Sequence, residues 1–208
     1  MNETLVQDRI IEIKKKLANN PSDSGLLNDL GVGYFLLGNY NESILTLKKG
    51  VKLNPHNSSY RYNLANSYAE SEDFNQAIYH YLKVLEDAPD HIPSLNNLAD
   101  CYEATGEMNR AKELFEYLPK IAPENALAHF NLGNFLLRRG NHIEATKSYE
   151  KAIAIEPSFA DAYLNISWIL FEVKAYQKAN EYIQLGLEAD PEHEDLRKLL
   201  SKVSNYTR

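Results

Sequence analysis

SSYRYNLANSYAESEDFNQAIYHYLKVLEDAPDH (residues 58–91) and IPSLNNLADCYEATGEMNRAKELFEYLPKIAPEN (residues 92–125) follow one another and align without a gap. Leu64 falls on Leu98, Ala65 on Ala99, Tyr68 on Tyr102, Ala77 on Ala111, Tyr81 on Phe115 and Pro89 on Pro123. Continuing the same 34-residue step outward reaches Pro21, Pro55, Pro157 and Pro191, so six of the eight prolines share one phase. A period in the range of about 20–50 residues marks a repeat array, where each unit buries its apolar face only against its neighbours.

That phase divides the chain into five units: 24–57, 58–91, 92–125, 126–159 and 160–193. Each opens with an apolar column (Leu30, Leu64, Leu98, Leu132, Ile166) followed by a small residue (Gly31, Ala65, Ala99, Gly133, Ser167). Three residues later comes Tyr34, Tyr68, Tyr102, Leu136 or Leu170, and these spacings share one side of a helix. The small residue predicts close approach of a neighbouring helix. A break follows at Gly38-Asn39, Glu72-Asp73, Gly106-Glu107, Gly140-Asn141 and Lys174-Ala175, mostly turn formers. A second helical pattern runs through Ser43, Ala77, Ala111, Ala145 and Ala179, then Leu47, Tyr81, Phe115, Tyr149 and Ile183. The phased proline cannot continue a helix interior and closes each unit.

The pattern of a large apolar residue, Leu-Gly, Tyr, Ala, an aromatic and Pro resembles the tetratricopeptide repeat family, carried by LGVGY (30–34), NLANSY (63–68), NLADCY (97–102) and NLGNF (131–135). The resemblance covers residues 24–193 and implies an all-α, right-handed superhelical solenoid of helix–turn–helix repeats. Departures are Ser43 for Ala, Gly50 and Gly186 where Ala is usual, and the lack of a glycine turn in the second and fifth repeats. Pro119 falls within a second helix and is expected to shorten or kink it. Residues 1–23 are predicted to hold an N-terminal capping helix (3–19), and 194–208 a C-terminal capping helix and tail, with Leu196, Leu199, Leu200 and Val203 on one stripe.

The 208 residues carry a net charge of −7, with no bulk basic footprint for nucleic acid. The sequence has no run of about 18 apolar residues, so direct membrane insertion is not expected. One cysteine, Cys101, points to a reducing, cytoplasmic setting and leaves no disulfide or zinc ribbon to form. Asn-x-Ser/Thr triplets at Asn2, Asn41, Asn57, Asn165 and Asn205 read as by-products of an asparagine-rich composition. The six histidines form no HExxH or His/Cys cluster, and His56, His91 and His193 sit in inter-repeat turns, where a solvated role is expected. No GxxxxGK[ST], GxGxxG or GxSxG occurs, so neither a catalytic residue, a metal nor a cofactor is expected.

Recognition has more support. Position 6 of successive units reads Asp29, Asn63, Asn97, Asn131, Asn165, and position 9 reads Val32, Asn66, Asp100, Asn134, Trp168. Both lie opposite the core stripe at about 100° per residue. In the family this face lines a concave groove, and the row is similar to the asparagine ladder in the repeats of the O-linked N-acetylglucosamine transferase. A carboxamide offers a donor and an acceptor side by side, which suits the backbone of an extended peptide. The other reading of the row is ordinary family consensus. Acidic residues (Asp29, Glu70, Asp100, Glu103, Asp161, Glu172) outnumber Arg138 along the face, and the Lys and Arg of the family's carboxylate clamp are absent, so neutral or basic peptides are preferred. Phe130 and Trp168 are candidate apolar anchors. The chain is therefore expected to be a non-enzymatic protein–protein interaction module, a scaffold or adaptor. Its candidate peptide-binding residues are Asn63, Asn66, Asn97, Asp100, Phe130, Asn131, Asn134, Asn165 and Trp168. The alternatives are a self-assembling scaffold and a substrate-presenting subunit of a separate enzyme. Replacing Asn97 or Asn131 by Ala is expected to leave the free protein as stable or slightly more so.

Overall fold

The computed structural model describes residues 3–206, which form twelve α-helices and no strand among the described residues. A lone helix α1 (Glu3–Asn19) precedes five helix pairs. These are α2 (Ser24–Leu36) with α3 (Tyr40–Leu53), α4 (Ser58–Glu70) with α5 (Phe74–Asp87), and α6 (Ile92–Ala104) with α7 (Met108–Ile121). Next come α8 (Ala126–Arg138) with α9 (His142–Ile155), α10 (Ala160–Glu172) with α11 (Tyr176–Ala189), and finally α12 (Glu194–Val203). The chain divides into two compact units, Met1–Leu114 and Phe115–Arg208, whose boundary falls inside α7. Of the glycosylation-type triplets, Asn2 lies outside the described residues, Asn57 caps α4, and Asn41 and Asn165 precede serines that are buried.

Every paired first helix ends in the same way. In the turn after α4, Glu72 N–H donates to Ala69 C=O at 3.0 Å and Asp73 N–H to Tyr68 C=O at 2.9 Å. This two-bond closure places one residue in the left-handed region. Glycine fills that position at Gly38, Gly106 and Gly140, but Glu72 (φ 62°) and Lys174 (φ 63°) adopt it in the second and fifth pairs. The turn survives without glycine because the two bonds hold the residue against its own preference.

Helix starts carry a periodic feature that hydrophobic patterning misses. Asp23, Asn57, His91, Asn125 and His193, all in one 34-residue phase, accept the backbone N–H three residues on, satisfying a donor left open at each first turn. His91 and His193 are therefore capping residues, and the solvated role expected of them is corrected: Nδ1 of each faces the helix. Pro119 does not shorten its helix, because α7 keeps the 14 residues of α3, α5, α9 and α11. The proline forfeits the bond its N–H would make to Phe115 C=O, upstream of it, and the chain stays helical for two residues beyond.

In the first unit, α1 lays Ile10 and Ile13 against Leu30, flanked by Val6, Leu17, Leu26 and Tyr34. The column Leu47, Tyr81, Phe115, Tyr149, Ile183 is wholly buried, as is Ser43, Ala77, Ala111, Ala145, Ala179. Ser43 is satisfied: its hydroxyl donates to Gly31 C=O at 2.7 Å and lies 2.8 Å from the Ser67 hydroxyl. A Cβ on Gly31 would collide with Leu47, and one on Gly133 would stand 2.6 Å from Cε1 of Tyr149, so close approach does depend on the small column. In the second unit, Leu196, Leu199 and Val203 of α12 are buried against Ala160, Ala179 and Ile183.

Candidate functional site

The position-6 and position-9 asparagines are half-buried rather than free, and they bond to one another between adjacent repeats. In the first unit, Tyr81 O–H donates to Asn66 Oδ1 at 2.6 Å. Asn97 Nδ2 donates to the same Oδ1 at 3.0 Å and to the Tyr81 oxygen at 3.2 Å. In the second unit, Tyr149 O–H donates to Asn134 Oδ1 at 2.8 Å, and Asn165 Nδ2 donates to that Oδ1 at 3.0 Å. Asn63 Nδ2 likewise donates to Asn28 Oδ1 at 2.9 Å. Burial pushes the Tyr81 phenol far above its usual range and the Tyr149 phenol up to about 12, so both hydroxyls stay protonated as donors.

Each Asn–Tyr–Asn triad thus uses one half of each amide and presents the other. Asn66 and Asn134 keep an Nδ2 donor, while Asn97 and Asn165 keep an Oδ1 acceptor. This corrects the expectation that Asn97→Ala would leave stability unchanged: it strips the Tyr81–Asn66 pair of a shared donor. The triad occurs only in those repeats where position 9 is asparagine and the buried column of the second helix supplies tyrosine, a coincidence visible in the sequence once the repeats are aligned.

A cavity of about 430 Å³ opens beside the first triad, lined by Phe35, Asn66, Ala69, Glu70, Glu72, Phe74, Tyr81, Asn97, Asp100 and Cys101. Burial, helped by the Asp100 charge, pushes the Cys101 thiol up to about 12, which holds it protonated and a poor nucleophile. A more apolar hollow of about 570 Å³ lies between α1 and α2, with Leu5, Ile10, Val32, Leu36 and Asn63 among its walls.

Phe130 is half-buried against Tyr149 and Phe159, with ring centroids at 5.6 and 4.6 Å, so most of its face packs between helices of the second unit. Trp168 packs edge-to-face on Phe171 at 5.8 Å, and the Lys202 ammonium of α12 sits 4.8 Å over its ring. Asn131 is half-buried and Asp100 exposed. Asp161 accepts from His193 Nε2 at 3.2 Å, which ties one acidic residue of the face to an interhelical turn. Among the described residues, no group of three or more His, Cys, Asp or Glu could hold a metal ion, and no helix is long and apolar enough to cross a membrane.

Three family models match the sequence. One, for the middle TPR-like domain of cilia and flagella-associated protein 70, covers residues 95–198; two tetratricopeptide-repeat models cover 31–72 and 62–126. No curated protein sequence gives a significant match. Among solved structures, a tetratricopeptide repeat protein from Parabacteroides merdae is similar with a TM-score of 0.76 and 16% identity, over 97% of this chain and 79% of that one. PilF of Pseudomonas aeruginosa gives 0.74 and 19% over 88% and 83%. A thermophilic TPR protein of Thermus thermophilus gives 0.69 and 19% over 88% and 99%. At these identities the likeness is one of fold.

Proposed function

Because this chain belongs to the tetratricopeptide repeat family, whose fold serves as a protein–protein interaction module, we propose that it captures extended peptide segments on the helix faces that carry its two Asn–Tyr–Asn triads. The observation that carries this reading is the fixed orientation of the amides. Asn66 and Asn134 present a donor, and Asn97 and Asn165 an acceptor, each held by a buried tyrosine. That donor–acceptor pairing matches the C=O and N–H of an extended backbone, and pre-ordered side chains lose little entropy on binding. Asn63 and Asn131 extend the row, Asp100 adds charge, and the exposed edges of Phe130 and Trp168 supply apolar contact. Net gains of about 0.5–1.5 kcal/mol per hydrogen bond, set against the cost of association, suit a transient, micromolar interaction. The single buried cysteine suits a cytoplasmic setting, and no catalytic role is proposed.

Asn134→Asp tests the reading. The new carboxylate still accepts from Tyr149 and Asn165 but replaces the outward donor with an anion. Affinity for an N-acetylated, C-amidated pool of neutral dodecapeptides, read by fluorescence anisotropy, should fall at least about tenfold, or about 1.4 kcal/mol. The unfolding midpoint should stay close to that of the parent. No binding by the parent, or equal binding by the variant, overturns it.

A further inference from the structure

We propose that the cavity beside the first triad is a pocket for one arginine side chain of the bound peptide. This rests on the peptide-capture reading and deepens it by naming a residue that the partner carries. The cavity is a formed hollow in which the Tyr81-held amides set fixed polar atoms, with Asn97 Oδ1 as an unshared acceptor. Glu70 and Asp100 stand in its lining, and Phe35 offers an aromatic face. None of the lining residues is basic, and the hydrogen bond that Glu70 accepts from Tyr40 O–H is a long one, at 3.5 Å.

The chemistry favours guanidinium over ammonium. A planar fork of five N–H donors can address a carboxylate and an amide oxygen together while stacking on a ring; an ammonium is a compact, strongly hydrated point charge. An acidic side chain would face repulsion from Glu70 and Asp100 and find one amide donor, Asn66 Nδ2. The corresponding place in the second unit sharpens the assignment. There the triad is the same, but Arg138 stands at the position of Glu70 and Trp168 at that of Asp100. Arg138 lies close enough to act on the Tyr149 phenol, lowering its pKa against the effect of burial. The acidic lining therefore belongs to the first unit's pocket and is not a general property of the repeat.

The test uses the full chain and four pools of N-acetylated, C-amidated dodecapeptides, identical except for a fixed central Arg, citrulline, Lys or Glu. Citrulline keeps the shape of arginine without its charge. The Arg pool should bind at least about fivefold tighter than the citrulline pool, with Lys between them and Glu weakest. In Glu70→Gln/Asp100→Asn, chosen to keep side-chain shape, the Arg-to-citrulline ratio should drop below about twofold, and a ratio held at the parent's value overturns the pocket. At equal occupancy the side-chain amide signals of Asn66 and Asn97 should shift further with the Arg pool than with the citrulline pool. If all pools bind alike and Asn134→Asp weakens them alike, peptide capture stands and the arginine pocket is refuted. If no pool binds, both fall. Concentration-dependent self-association that Glu70→Gln/Asp100→Asn abolishes would assign the cavity to a second copy and overturn the proposal.

Discussion

The same triad is built twice, two repeats apart, as Asn66–Tyr81–Asn97 in the first unit and Asn134–Tyr149–Asn165 in the second. The tyrosine bond measures 2.6 Å in one and 2.8 Å in the other, and the amide bond is 3.0 Å in both. What differs is everything around it. Glu70 corresponds to Arg138, Asp100 to Trp168, Ala65 to Gly133, His80 to Ser148 and Glu72 to Gly140. Position-by-position repetition thus separates two jobs that single-site inspection confuses. The buried tyrosine and paired amides are a frame that packing and hydrogen bonding require in both places, whereas the surrounding side chains are free to set charge, pH response and turn strain. Each difference is an experiment with its own control built into the other unit.

The largest contrast concerns Ala65 and Gly133. A Cβ on Gly133 would stand 2.6 Å from Tyr149 Cε1 and 2.7 Å from Cδ1, whereas the first unit already accommodates a methyl at Ala65 with Tyr81 wholly buried. Gly133→Ala should cost about 2–3 kcal/mol through overpacking, despite removing a helix glycine. The reverse change, Ala65→Gly, should cost about 1 kcal/mol, the usual helix penalty. Urea unfolding of both variants checks this. If Gly133→Ala is neutral or stabilising, the two tyrosines are seated alike and the contrast breaks.

His80 supplies the next. It is buried, stacked on Tyr68 at 5.5 Å and edge-on to Tyr79 at 5.0 Å, and its Nδ1 has no hydrogen-bond partner. Burial foremost, then the positive charges of Arg61 and Lys48, lower its pKa from 6.5 to about 4. The unfolded chain therefore binds a proton that the folded chain refuses between these values, and stability is lost as pH falls through that window. With partial solvent access to the ring, the loss is about 2 kcal/mol. Ser148 cannot titrate. Denaturation from pH 7 to pH 4.5 should weaken the parent by that amount beyond His80→Leu, which lacks the step. Trp168, the only tryptophan, reports on the second unit. Its fluorescence should show less of the loss than circular dichroism of the whole chain; equal loss by both probes would place the sensitivity elsewhere.

How far the residues foretell these features depends on where the partner group lies. The helix pairs follow from 34-phased prolines and from columns such as Leu64–Ala65–Tyr68, because a helix face is a property of one contiguous segment. The triads are half legible: Asn66, Asn97, Asn134 and Asn165 stand out as a row, but their partners do not. Tyr81 lies on α5, whereas Asn66 belongs to α4 and Asn97 to α6, and periodicity within a helix says nothing about contacts between helices. The helix register of Trp168 sets it off the core stripe, yet the Lys202 ammonium of α12 sits over its ring, a contact that register alone does not foretell. His91 and His193 escape notice as caps because histidine is an uncommon cap, and only the shared phase with Asp23, Asn57 and Asn125 exposes the role.

A smaller effect tests whether the frame is the same in both units. Tyr81→Phe and Tyr149→Phe each remove a buried hydroxyl and leave Asn66 or Asn134 with its Asn97 or Asn165 partner. Each should cost about 1 kcal/mol, and the two costs should match within experimental error. Both should also weaken binding of the neutral peptide pool a few-fold, because an amide with one tether less is not as well ordered. A twofold difference between the two stability losses would show that the frames are not equivalent.

The smallest contrast lies in the turns. Glu72 holds φ at 62° where Gly140 holds it at 73°, and both turns close with the same two backbone hydrogen bonds. A non-glycine residue in the left-handed region costs about 1–2 kcal/mol, while introducing glycine returns part of this as added freedom of the unfolded chain, about 0.4–1 kcal/mol. Glu72→Gly should therefore stabilise by about 0.5–1 kcal/mol, and Gly140→Ala should destabilise by a similar amount. An ideal Cβ on Gly140 meets nothing within 4 Å, so the second loss measures backbone strain alone, without a steric clash. Glu72→Ala separates strain from charge in the first unit: it keeps the penalised backbone and removes the carboxylate. If Glu72→Gly and Glu72→Ala change stability equally, repulsion among Glu70, Glu72 and Asp73 rather than the turn governs the site, and backbone strain is not what distinguishes the two units.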